Sequence, residues 1–138
     1  MIYLIGSLRN PEVPLLAHKL RLLGHEVFDD WHGNGPEADD YWQRYEKARG
    51  RSYRDALASP IPRHIFNIDK EHIDKADTVV LVLPAGKSGH LEFGYAMGSG
   101  KRGYILLPEE PERYDVMYNF ATKVLTSYDE LLKELQNE

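Results

Sequence analysis

A chain of 138 residues, 42% hydrophobic and 28% charged, is sized for one core, because a domain of this mass buries about two-thirds of the surface its unfolded chain exposes. It has no cysteine, which excludes a disulfide framework, a thiolate zinc site, an iron–sulfur cluster and a cysteine nucleophile, and which fits an intracellular, cytoplasmic location. With 22 acidic against 17 basic residues the net charge is -5, so no positive field exists overall to hold a nucleic-acid polymer, and a small nucleotide is the better-matched ligand.

Met1-Ile2-Tyr3-Leu4-Ile5-Gly6 has no basic lead and reaches a glycine early, so it reads neither as a signal peptide nor as a membrane span. Ile2 to Ile5, stopped by Gly6-Ser7, predicts a buried strand and a tight loop. From Pro11 to Leu23 the apolar residues Val13, Leu16, Leu20 and Leu23 recur at helical spacing, with Asn10 to cap and Gly24 to stop. Glu26-Val27-Phe28 predicts a second strand. Asp29 to Pro36 is dense in turn residues and reads as a loop that could wall a pocket. Glu37 to Leu57 reads as one partly covered helix, with Tyr41, Trp42 and Tyr45 assigned to the core. Pro60 and Pro62 break that pattern, and a further helix runs on to Lys75.

Thr78 to Leu83 is uninterrupted and β-branched, as a central parallel strand buried on both faces requires. Ala85 to His90 reads as a loop and Leu91 to Gly98 as a helix. Tyr104 to Leu107 and Val124-Leu125 predict two more strands, and Ser127 to Glu130 a capping box opening the last helix. Residues 1–138 are thus read as a single domain with a parallel sheet, flanked on both faces by helices through right-handed crossovers. In such sheets ligands bind at the carboxyl ends of the strands, which selects Gly6 to Asn10, Asp29 to Gly35 and Ala85 to Glu92.

Within those segments Glu92 is a carboxylate in an apolar helix, flanked by Gly89 and Gly94, where little bulk would shield it from a substrate. Arg9 offers a planar fork to a phosphate or carboxylate, and Tyr3 neighbours it in the first strand. Gly86-Lys87-Ser88-Gly89 precedes a helix and could cradle an anion. It is not a phosphate-binding Walker loop, since Leu81 stands where the earlier glycine belongs. Asp69 reads on its own as a solvated helix charge, and Trp31 as a cover for the sheet or a platform for a flat base. The six histidines never fall at zinc-helix spacing, so no metal is assigned.

Ile2 to Arg9, Phe66-Asn67-Ile68-Asp69 and His90 to Lys101 together resemble the nucleoside 2-deoxyribosyltransferase family, over most of the chain up to about Asn119. The resemblance implies a flavodoxin-like, Rossmann-like five-stranded sheet, no cofactor, and symmetric homo-oligomers, a dimer or multiple of dimers, whose subunits share active sites. It implies that Glu92 is the nucleophile at the anomeric carbon, that Tyr3 orients it, and that Asp69 faces the base and serves proton transfer. The ligands it implies are a nucleoside or nucleotide and a free nucleobase. Substrate-binding positions are expected at Gly6, Ser7, Arg9, Asp30, Trp31, Ser88 and Gly89, with Asp115, Met117 and Asn119 supplied by a neighbouring subunit. A sister branch hydrolyses 2-deoxynucleoside 5-monophosphates, using a serine and an arginine of the first loop. Ser7, Arg9, Lys87 and Ser88 favour that branch, whereas Asp115 would repel phosphate. Transfer between bases is the first reading and hydrolysis the alternative. A binding-only sensor is disfavoured by the presence of Glu92, Tyr3 and Asp69 together.

Overall fold

The computed structural model describes residues 1–138. A five-stranded, all-parallel sheet has the order β2-β1-β3-β4-β5, formed by β1 (Ile2–Ile5), β2 (Val27–Phe28), β3 (Thr78–Val82), β4 (Arg102–Leu106) and β5 (Lys123–Leu125). This is the doubly wound flavodoxin order, with a switch point between β1 and β3. The helices are α1 (Glu12–Leu22), α2 (Gly35–Ala48), α3 (Tyr53–Leu57), α4 (Pro60–Lys75), α5 (Lys87–Gly98) and α6 (Tyr128–Gln136).

Strand periodicity divides the core in two. Ile2, Leu4, Val80, Val82, Tyr104 and Leu125 face α1 and α6, where Val13, Leu16, Leu20, Leu131 and Leu135 close the layer. Tyr3, Ile5, Val79, Leu81 and Ile105 face the other way, against Ile73 of α4 and Phe93 and Ala96 of α5. The five residues of β3 are all buried, as their uninterrupted β-branched composition requires.

Several boundaries differ from the sequence reading. Residues Asp30–Asn34 form a short 3-10 turn rather than an aperiodic loop, and α2 starts at Gly35, with Pro36 in its first turn where a missing N–H costs nothing. The stretch from Glu37 to Leu57 is two helices, because Gly50 adopts φ +73° and Ser52 accepts from the Asp55 N–H to cap α3. The break expected at Pro60 and Pro62 is present, with α3 ending at Leu57 and both prolines lying at the start of α4. The cap position of α1 falls on Pro11 rather than Asn10, but the Asn10 side chain, one residue earlier, accepts from the Glu12 N–H at 3.0 Å. The capping box of α6 is half formed: Ser127 accepts from the Glu130 N–H, while the Glu130 carboxylate reaches Thr126. Tyr41 and Tyr45 are exposed and Trp42 is half-buried, so this group is not core; α2 keeps only Glu46 buried.

Candidate active site

The loops after β1 and β3 meet at the switch point over a cleft of about 570 Å³. Its floor is Gly6 to Arg9 and Trp31; one wall is Gly86 to Gly89 and Glu92, and the other comes from α2 and α4. Gly6 allows this closure, since a Cβ there would meet Val13 Cγ2 at 2.9 Å and the Val82 carbonyl at 3.3 Å. Gly89 helps in the same way at α5: a Cβ would press on Ala85, Ile5 and Leu81 at 3.3 to 3.4 Å, so the helix would have to lift by a few tenths of an ångström from β1 and β3. The helix begins at Lys87, four residues earlier than expected, which places Glu92 in its second turn and over the strand ends.

Tyr3, fully buried in β1, points to the same side, and its hydroxyl donates to Glu92 Oε2 at 2.9 Å. Its ring is held by stacking on Phe28, which in turn stacks on His72. Burial, with the Glu92 and Asp69 carboxylates nearby, pushes the phenol far above its ordinary range, so Tyr3 keeps its proton and remains a donor. Asp69 comes from α4, one turn before His72, and lines the cleft opposite Glu92. Burial raises Glu92 to about 7; the Tyr3 hydrogen bond pulls it down and the Asp69 charge pushes it up. Burial likewise raises Asp69 to about 6, against a downward pull from His72. Two carboxyls in one cleft, both above the usual range, are a pair that holds a proton near neutrality.

Removing the Tyr3 donor gives a direct check. In Tyr3→Phe the ring keeps its stack, while Glu92 loses a charge-assisted hydrogen bond of about 1.5–3 kcal/mol. Its titration, followed by carbon NMR of the side-chain carboxyl, should move upward by about one unit or more. An unchanged midpoint would show that the bond does not favour the ionised form.

Of the other expected site residues, Gly6, Ser7, Arg9, Trp31, Ser88 and Gly89 line the cleft with Glu92 and Asp69. Trp31 is pinned edge-on by its indole N–H, which donates to the Leu4 carbonyl at 2.8 Å. Asp30 does not line it: its exposed carboxylate lies 3.9 Å from Arg21, which also binds Asp29 at 2.6 Å, so the 3-10 turn aims this side chain outward. Asp115, Met117 and Asn119 lie outside this cleft, exposed on a 3-10 turn at Val116–Phe120 that Asp115 caps through the Met117 N–H. Asn34 and Pro36 line the cleft, as expected of the segment Asp29 to Pro36 read as a pocket wall; the sequence reading missed Ala38, Asp39 and Trp42 on α2, and Pro62, Ile65 and Phe66 on α4, which also line it. For α4 a signal existed, because residues 62, 65, 66 and 69 fall on one helical face. No three histidine or acidic side chains come together as a metal ion would need.

The fold and cleft define a doubly wound α/β domain that presents a paired carboxyl site at its topological switch point. No family model matches the chain, and no curated protein matches its sequence. Among solved structures it is similar to the 2-deoxyribosyltransferase of the psychrotolerant bacterium Bacillus psychrosaccharolyticus, described as a biocatalyst for the synthesis of antiviral and antitumoral nucleosides. The two are 21% identical, superpose with a TM-score of 0.64, and share 94% of this chain and 88% of that one. The likeness establishes the flavodoxin-like fold. No helix of this chain is long and apolar enough to cross a membrane.

Proposed function

We propose that the protein is a nucleoside 2-deoxyribosyltransferase, cleaving the N-glycosidic bond of a 2-deoxyribonucleoside and passing the sugar to another nucleobase. The observation that carries this reading is the Tyr3–Glu92 hydrogen bond beside Asp69, at the strand ends of a fold shared with a 2-deoxyribosyltransferase. In the first step an oxygen of Glu92 bonds to C1 of the sugar as the C1–N bond breaks, the electron pair leaves with the base, and Asp69 supplies the proton the base takes up. In the second, a nitrogen of the incoming base attacks C1 and displaces the carboxylate, and its proton returns to Asp69. Two inversions give net retention, through an oxocarbenium-like transition state. The scheme needs Glu92 ionised and the proton on Asp69; with Glu92 raised to about 7 and Asp69 to about 6 that is the minor placement of the pair's single proton, and kcat/KM should follow a bell with limbs near 6 and 7.

Hydrolysis of a 5-monophosphate is the second reading, favoured by Ser7, Arg9, Lys87 and Ser88 in the cleft. Against it, Arg9 already faces Asp40 at 3.7 Å, which offsets the charge a phosphate would use. The readings separate by incubating the protein with deoxyinosine or deoxyuridine, with and without adenine, and with the corresponding monophosphates. Transfer gives a new nucleoside only when the second base is present. Free base from the monophosphate alone identifies the hydrolase, and Arg9→Ala should then weaken substrate binding by about 1.5–3 kcal/mol. No product from any substrate would overturn both.

A homo-oligomer that shares its sites belongs to the same reading. His90 binds the Tyr118 hydroxyl at 2.9 Å, which holds the Val116–Phe120 turn beside α5. There Leu91, Val116, Met117 and Phe120 are each 62–74% exposed, an apolar surface suited to a second copy carrying Asp115, Met117 and Asn119 toward its neighbour.

A further inference from the structure

The floor of the cleft and its Glu92 wall are built on the sheet or on a helix packed against it, but α2 is different. Of its 14 residues only Glu46 is buried, yet Pro36, Ala38, Asp39 and Trp42 of its amino-terminal half form part of the cleft wall. Its side chains bind mostly within the helix. Asp39 accepts from the Trp42 indole N–H at 3.0 Å and from Gln43 at 3.1 Å, while Tyr41 stacks on Tyr45 and Arg49 lies over the Tyr45 ring. A helix stitched to itself and barely packed on its surroundings moves as a unit.

The two ends are held unequally. At the carboxyl end the buried Glu46 carboxylate faces Arg51 Nε at 3.3 Å, and the Arg51 N–H donates to the Glu46 carbonyl at 3.1 Å. At the amino end an ion pair crosses the cleft mouth, Arg9 Nη2 to Asp40 Oδ2 at 3.7 Å, between two well-exposed side chains. Gly35 and Gly50, at φ +75° and +73°, bracket the helix with backbone that no Cβ restricts.

We propose that α2 is a gate over the cleft, pivoting about its Glu46–Arg51 end and latched at the other by Arg9 and Asp40. An exposed pair at this separation changes an opening equilibrium only about 1.5- to 5-fold. That suits a latch which must release readily, and it is too weak for a strut. The gate controls entry to the site described above, so its place in the reaction rests on the proposed glycosyl transfer, whereas its existence does not.

Spin-label distances and acrylamide quenching test it without any substrate, and the absence of cysteine makes paired labels clean. With nitroxides on Glu12→Cys and Glu37→Cys, Asp40→Asn should raise the population at longer distance about 1.5- to 5-fold, whereas labels on Glu12→Cys and Lys47→Cys should report an unchanged distance. The charge swap Arg9→Asp with Asp40→Arg should restore the short distance, and about 0.5 M salt should bring the wild type toward the Asn variant. In a Trp42→Phe background, acrylamide reports on Trp31 at the cleft floor, and Asp40→Asn should raise its quenching constant by a similar factor. Equal distances in wild type and Asp40→Asn, a swap that does not restore them, or an equal shift for the label on Lys47→Cys would overturn the latch and pivot. A longer distance with unchanged quenching would show a moving helix that does not gate the cleft. Failure of the protein to turn over nucleosides would leave both readouts intact and would count against the proposed function alone.

Discussion

Replacing Glu92 by alanine is expected to lower turnover about a thousandfold or more, with the circular dichroism and melting profile of a folded protein retained. Loss of a covalent nucleophile costs at least that much, because what remains is binding and electrostatic positioning. Folding should survive, since Glu92 sits at the cleft rather than in either core layer, and Phe93 and Ala96, which anchor α5, are untouched. Mass spectrometry of enzyme quenched during turnover should show a pentose esterified at residue 92, and the alanine variant should show none. Turnover at the wild-type rate would sink the assignment of this carboxylate.

Stability should move the opposite way in Glu92→Gln. Glu92 and Asp69 are raised by burial to about 7 and about 6 from ordinary values of 4.5 and 3.8. A carboxyl whose folded value is raised binds its proton more tightly in the native state. Its contribution is therefore whole below the unfolded value and is lost as pH rises through the folded one. The wild type should lose stability between about pH 4 and pH 7 from this pair. Glu71, Asp74, Asp77 and Glu130, held below their ordinary values by Lys75, Tyr95, the amino terminus and Thr126 respectively, act in the opposite sense, their contributions being lost as pH falls. Glutamine keeps an oxygen to accept from Tyr3 but never ionises. At pH 8 the variant should gain about 2–3 kcal/mol, or about 5–10 °C in melting temperature, and at pH 4 it should match the wild type. Equal melting curves at pH 8 would show that the Glu92 charge is not penalised by burial. Gain of stability with loss of activity in one substitution is the signature expected where a site is kept at the cost of the fold.

The β1 and β3 segments were legible because burial on both faces leaves a single option, a continuous apolar run. The first strand and the loop it feeds were read correctly for that reason, as was the glycine-bounded α1. The segment from Asp29 to Leu57 was less legible. Its charges and aromatics carry no clean period, since α2 buries a single residue and so imprints almost no pattern on its sequence. The same weakness hid Asp39, and it hid Trp42, whose aromatic character points to the core while the fold puts it on the cleft. Asp69 reads as a solvated charge from its neighbours Lys70 and Glu71 and enters the site in the sequence only through the family resemblance; the fold places it on the cleft with Glu92.

From the sequence alone came the class of fold, the strand ends at which chemistry would sit, and the choice of Glu92, because periodicity, glycine placement and an acidic residue in an apolar helix are local properties. Tertiary structure alone decided which side chains meet. Tyr3 and Glu92 are 89 positions apart and touch at 2.9 Å, Asp69 joins them from a third element, and Asp30 turns away to Arg21. Contacts between distant segments depend on how helices seat on the sheet, and the close approaches at Gly6 and Gly89 fix that seating.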